Sequence, residues 1–474
     1  MKLNLASLKI ITVLLLTTSS AWGAISEKQK AQITQEIENV MDGKGAPVAS
    51  VLIVQRGEVV YKNTLVDPNF KTQVKLPKNS NPRYKIGSIS KQFTAASLLI
   101  LQDQGKLSVK DPVAKWFPEL TNADKVTIAN LLSMTSGYPD YWPHDYVYKD
   151  MLSDVDNSRV IKKYAMRSAD FYPGEKFEYS NTNYLIAGRI VEQVSGLPLY
   201  DFMKKYIFQP LKMDTAISVN NTSLADIDTP RFLRNAIGPI RNAPEEGKGW
   251  LYSAGDLAMS ARDLAKWNQA LIDESLLSKF SMKQFTSQFI NNNGIANSYG
   301  LGIAVSRTMG TKLISHSGAV SGSISMNRIY PEKNTSIIMF FAAYPGTSSE
   351  QFGAIFKIEK IILSDLEKNN DKDDSKVALN KKVKKILKAF QAGRIERALF
   401  SENANFYFQK EVVADFAESL KGLGELVSVE EKATGHRGGM SYYAFDANFK
   451  NDSLRIDLRV LRNGLIEQFG LSAN

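Results

Sequence analysis

The sequence contains no cysteine, and only three histidines in 474 residues. The missing thiols exclude disulfides, a catalytic thiolate, a thiolate metal site and a lipid-modified N-terminal cysteine. A chain this long can bury a core large enough to fold without cross-links. His144, His316 and His436 are scattered, so the ligand spacing of a zinc site is absent too, and no metal or cofactor is expected. No apolar run reaches the roughly 20 residues that cross a bilayer. There is no internal repeat, low-complexity block or nucleic-acid signature.

The first residues read as an export leader. Lys2 and Lys9 give a basic start, Ile10 to Leu16 a short apolar stretch, and Ala21-Trp22-Gly23 small residues before a cut at Ala24. Residues 1–23 are therefore set apart from the fold, and the expected location is periplasmic or secreted. The net charge of +10 falls to +8 without Lys2 and Lys9. An excess of this size suits either an anionic envelope surface or plain solubility.

The period of the apolar residues predicts an amphipathic helix over 27–41 and a hairpin of two strands, 47–54 and 58–61. A helix follows over 88–104, stopped by Gly105. Residues 106–200 read as helices and loops, and 254–267 as one further helix. Segments 299–305, 312–318, 325–330 and 335–342 read as antiparallel strands. Strands thus flank a helical block, which predicts an α+β fold with one sheet made from both ends of residues 24–365. The charged stretch 366–376 reads as a linker. Residues 377–474 read as a small α+β domain with helices to about 420, then strands at 441–449, 454–461 and 465–471. Asn463-Gly464 is its strongest turn signal.

Three separated segments carry chemistry. In RYKIGSISKQFTAASLLILQDQG, residues 83–105, Ser88 is followed three residues later by Lys91, at the start of a segment patterned for burial. One helical turn puts both on one face. A buried lysine loses proton affinity and can take the proton that makes serine a nucleophile. The plain alternative is a capping serine and a surface lysine. Tyr179-Ser180-Asn181 follows a Pro-Gly turn. A tyrosine beside a lysine can ionise and serve as base, then return the proton. The asparagine amide can hold a substrate carbonyl or orient the lysine. Tyr61-Lys62-Asn63 has the same spacing, and a packed core tyrosine is the alternative at 179. In the third segment, His316, Ser317, Gly318 and Ala319 sit on a strand where glycine permits close approach. The Ala319 and Ser88 backbone N–H groups would there form an oxyanion hole. His436-Arg437-Gly438 repeats that pattern. His144, among the aromatics of PDYWPHDYV, reads as a loop histidine or a cleft residue.

Taken in order, with IGSISKQFTAA, LLSMTSG, YPGEKFEYSN and WLYSAGDLA, these segments resemble the serine β-lactamase and penicillin-binding enzymes over about residues 30–345. The nearest branch is that of class C β-lactamases, D-amino-acid peptidases and related esterases. The resemblance implies Ser88 as acyl-enzyme nucleophile, Lys91 as its partner and Tyr179 as general base and acid. It implies Asn181 as a substrate contact, and His316 to Ala319 as the substrate-binding strand. It further implies a small-molecule or peptide substrate, with cell-wall material a candidate partner, and leaves the oligomeric state open. Two positions depart from the family pattern. Met134 stands where histidine is common. His316 stands where β-lactamases of this kind carry lysine, which removes a permanent cation for a substrate carboxylate.

Overall fold

In a computed structural model of the protein, the structure describes residues 25–41, 46–77, 80–143, 147–234, 239–343, 348–368, 374–437, 440–461 and 463–473. The leader 1–23, His144 and Gly438 lie outside the described residues, as do 369–373 of the charged stretch.

The N-terminal hairpin of β1 (Val48–Gln55) and β2 (Glu58–Val66) joins four strands from much later in the chain. These are β3 (Ala304–Thr308), β4 (Thr311–Val320), β5 (Ser323–Tyr330) and β6 (Thr335–Ala342). The sheet order is β2-β1-β6-β5-β4-β3, antiparallel at every pairing, and β1 meets β6 from Val48↔Ala342 to Gln55↔Thr335. Both central strands are buried on both faces, which is why they read as continuous apolar runs. Ala49, Val51, Ile53, Ile337, Met339 and Phe341 face one way. Helix α1 (Glu27–Met41) covers that face with Ile33 and Ile37, and α5 (Ser348–Lys368) covers it with Ile355, Ile358 and Ile362. Val48, Leu52, Ile338 and Phe340 face the helical block.

That block is centred on α2 (Ser90–Asp103), in which every residue from Ser90 to Leu101 is buried. A helix apolar all round belongs inside a core. It ends at Gly105, φ +72°, with Lys106 N–H returning to the Leu101 carbonyl. Helices α3 (Thr182–Ser195) and α4 (Ala261–Ile272) pack in the same core. The single helix expected over 254–267 is instead a short turn, a strand at Leu257–Met259, and then α4. Ser260 divides them, because its side chain accepts the Asp263 N–H and starts α4 there.

The C-terminal segment has its own apolar core, including Ile386, Phe390, Phe408, Phe445, Ile456 and Phe469. Helices α6 (Asp374–Gln391) and α7 (Lys410–Lys421) pack with a meander of β7 (Leu426–Arg437), β8 (Met440–Phe449), β9 (Ser453–Val460) and β10 (Ile466–Ala473). Strand β7 was not expected. Its pairing shifts at Leu426/Ser428 and Glu431/Ala433, so bulges break the alternation that marks a strand. The charged stretch 366–376 is helical at both ends, since α5 reaches Lys368 and α6 starts at Asp374.

Candidate active site

Ser88 lies in a 3-10 turn, Gly87–Ile89, that leads into α2. It does not cap the helix, for neither cap position of these two elements makes a side-chain bond. Lys91 is not a surface residue, with 0% of it exposed. Its Nζ lies 2.9 Å from Ser88 Oγ, 2.8 Å from Asn181 Oδ1 and 2.8 Å from the Ala254 carbonyl. Burial pulls its pKa down to about 7, and the charge of Asp140 pushes back upward.

These three contacts serve both protonation states. An ammonium donates to all three oxygens. A neutral amine has two N–H bonds, which the two carbonyl oxygens take. Its lone pair is then left facing the Ser88 hydroxyl. The proton of Ser88 can pass to Lys91 with no side-chain rearrangement.

Tyr179 completes the cluster. Its ring stands 5.1 Å from Lys91 Nζ, and the Ser88 hydroxyl is close enough to act on its phenol. The residue as a whole is 36% exposed, because the ring forms part of the pocket wall. Burial of the hydroxyl raises its pKa, the Ser88 hydroxyl partly lowers it, and Asp140 raises it again. Tyr179 is therefore a neutral phenol at rest.

Strand β4 supplies the opposite wall. A Cβ on Gly318 would lie 2.0 Å from the Ile86 carbonyl oxygen and 2.9 Å from the Ser88 nitrogen. Only glycine lets this strand reach the serine turn. The hairpin turn Ser321-Gly322 makes Val320↔Ser323 its closing pair. Ala319↔Ile324 is then a non-hydrogen-bonded pair, so the Ala319 N–H points off the free edge of β4. A Cβ built on Gly87, φ +51°, would lie 3.0 Å from that nitrogen. The Ala319 and Ser88 amides thus border the same space.

His316 lines the pocket but is committed to the protein. Its Nε2 is 2.7 Å from Tyr299 Oη and its Nδ1 is 2.6 Å from the Ser317 carbonyl. A carbonyl only accepts, so Nδ1 carries the proton and Nε2 accepts from Tyr299. Burial and, less strongly, the charge of Lys91 lower its pKa to about 3, against the Ser317 bond, which raises it. It is neutral and offers a substrate no cation.

The pocket has a volume of about 750 Å³. Ser88, Tyr179, Asn181 and His316 to Ala319 all line it, so the sequence-derived residues converge on one cleft. The two look-alike motifs do not take part. Tyr61 and Asn63 lie on β2 at the far edge of the main sheet, and Tyr61 bonds Thr34. His436 lies on β7 of the C-terminal sheet. Sequence reasoning missed Asp140, Tyr299 and the Ala254 carbonyl. Asp140 accepts the Asn181 N–H at 2.8 Å and its side-chain Nδ2 at 3.2 Å. Its position inside LLSMTSGYPDYW was the one available signal. Met134, φ +60°, packs its sulfur 3.5 Å from the Ser180 nitrogen and is fully buried, so that departure from the family pattern sits under the Tyr179 loop.

The family model described as Beta-lactamase matches residues 33–359. Penicillin-binding protein 4* of Bacillus subtilis is 28% identical over 329 residues, covering 66% of this chain and 72% of that protein. A D-stereospecific amidohydrolase from a Streptomyces species superposes with a TM-score of 0.60 at 24% identity, over 69% of this chain and 98% of the other. An octameric penicillin-binding protein homologue from Pyrococcus abyssi superposes with a TM-score of 0.59 at 19% identity, over 94% of this chain and 99% of the other.

Proposed function

Because the chain belongs to the Beta-lactamase family, we propose that it is an exported serine hydrolase that cuts an amide through an acyl-enzyme on Ser88. The reading rests above all on Lys91, a fully buried amine 2.9 Å from the Ser88 hydroxyl with a pKa near 7. Ser88 Oγ attacks the carbonyl carbon as its proton moves to Lys91. The oxyanion meets the Ser88 and Ala319 amides, where each such donor is worth about 3–4 kcal/mol in the transition state. Tyr179 protonates the departing amine and is recharged from Lys91. Water then releases the acyl group by the reverse proton path.

D-Amino-acid amides and D-alanyl peptides are the leading substrates, in keeping with the amidohydrolase and penicillin-binding relatives. Esters come next. β-Lactams come third, because His316 is neutral with both nitrogens engaged, and among the described residues neither lysine nor arginine lines the pocket. Residues 24–365 would form the catalytic domain and 377–474 a small accessory domain, with 1–23 removed on export. Cell-wall peptides are the candidate partner.

The test is covalent labelling. Fluorophosphonate and labelled penicillin are offered to the protein, and the adduct is mapped by mass spectrometry. An adduct on Ser88 is expected, with release from a D-amino-acid amide faster than from a chromogenic cephalosporin. No adduct with either probe, together with no turnover of activated esters, would replace this reading with a silent binding protein.

A further inference from the structure

Asn181 is the first residue of the α3 cap, yet its side chain makes no capping bond. It is turned instead into a bridge. Oδ1 accepts from Lys91 Nζ at 2.8 Å, and Nδ2 donates to Asp140 at 3.2 Å and 3.3 Å. The Asp140 carboxylate also receives the backbone N–H of Asn181 at 2.8 Å and that of Trp142 at 3.2 Å. An amide has two faces that differ only in which end donates. A carboxylate accepts only, so it fixes which end of Asn181 turns toward it.

We propose that Asp140 is a positioning residue that locks the Asn181 amide with its oxygen toward Lys91 and so holds the Lys91 amine against Ser88. The proposal deepens the hydrolase reading and rests on it for its kinetic readout. Lys91 faces Ser88, the Asn181 and Ala254 oxygens, the rings of Tyr179 and Tyr184, and neutral His316. Asp140 is the carboxylate that acts on it. The same residue therefore sets both the geometry and the charge around the amine. Asp140 itself meets Asn181, the Trp142 amide and the field of Lys91, and it raises the pKa of the Tyr141 and Tyr179 phenols.

The test is an exchange. Asp140→Asn removes the charge and replaces one of the two acceptor oxygens facing Asn181 Nδ2 by a competing N–H₂. The plateau rate should fall about tenfold to a hundredfold, the range for losing a hydrogen bond to a charged group. The acid limb of the pH profile should move to lower pH, since the neutral amine is now favoured. Asn181→Asp sets two carboxylates face to face and should also be slow. The double variant Asp140→Asn/Asn181→Asp restores donor against acceptor, with the carboxylate beside Lys91. It should recover most of the plateau, with an acid limb above that of the wild type. If Asp140→Asn does not fold, the double variant carries the comparison.

The titration of Lys91 followed by ¹⁵N NMR of its side-chain nitrogen gives a readout free of turnover. It should move down in Asp140→Asn and up in the double variant. A lost plateau with an unmoved acid limb and an unmoved Lys91 titration would overturn the proposal, as would a double variant no better than the singles. A wild type without turnover would defeat the hydrolase reading, while the NMR titration would still judge Asp140.

Discussion

Lys91 is the residue whose environment does most to set the chemistry. In the proposed mechanism its free-base form takes the Ser88 proton, so rate should rise as pH climbs through about 7. Below that pH the ammonium dominates and acylation stalls. A log kcat/KM profile with its acid limb far from 7 would contradict the assignment. Ser88→Ala should lose all labelling. Lys91→Ala and Tyr179→Phe should each slow acylation by about 10²–10⁴, the usual contribution of a positioned acid or base. Wild-type rates in Tyr179→Phe would remove that residue from the proton path. The depressed pKa also has a stability sign. Between about 7 and 10.5 the folded chain binds fewer protons at this site than the unfolded chain, so stability falls as pH drops through that window. Melting curves of Lys91→Met and wild type should therefore differ more in the variant's favour at pH 6 than at pH 10. Ser88, Lys91, Tyr179 and Asn181 could be picked out in the sequence because their segments, taken together, resemble the serine β-lactamase and penicillin-binding enzymes, whereas each short spacing also occurs elsewhere in the chain or is expected by chance. Asp140 and Tyr299 could not, since their roles consist only of what they touch.

At the level of elements, the active site is a matter of how closely β4 approaches the turn before α2. Gly318→Ala places a methyl 2.0 Å from the Ile86 oxygen, where no flexible side chain can yield. The strand must retreat and take the Ala319 amide with it. Acylation should drop by about 10²–10³, the cost of one lost oxyanion donor, and Tm should fall as well. Gly353→Ala is the control. It lies within α5 with open space around it, and should stabilise the protein by about 0.5–1 kcal/mol without touching turnover. Unchanged acylation in Gly318→Ala would show that the β4 approach is not needed. The strands β1, β4, β5 and β6 were readable because burial on both faces, or tight turns, leave clear patterns. Strand β7 was hidden by its bulges. The helix read over 254–267 was an apolar run that Ser260 cuts in two.

Among the described residues, apolar packing falls into three clusters, two on the faces of the main sheet and one confined to the C-terminal segment. Among the described residues, those lining the candidate pocket lie between Ser88 and Val320, and the family match ends at residue 359. Helix α5 belongs to the first body, because Ile355, Ile358 and Ile362 cover the sheet. A chain ending after Lys368 therefore keeps all the described lining residues of the pocket and both faces of its sheet. It should fold, and its turnover of an activated ester should stay within about twofold of the full chain, since a core that shares no buried side chains with another contributes independently. Calorimetry of the full chain should then show two transitions, of which the shortened chain keeps one. Loss of turnover on shortening, with folding intact by circular dichroism, would mean instead that the C-terminal unit holds the cleft in its working shape and is part of the catalytic machine.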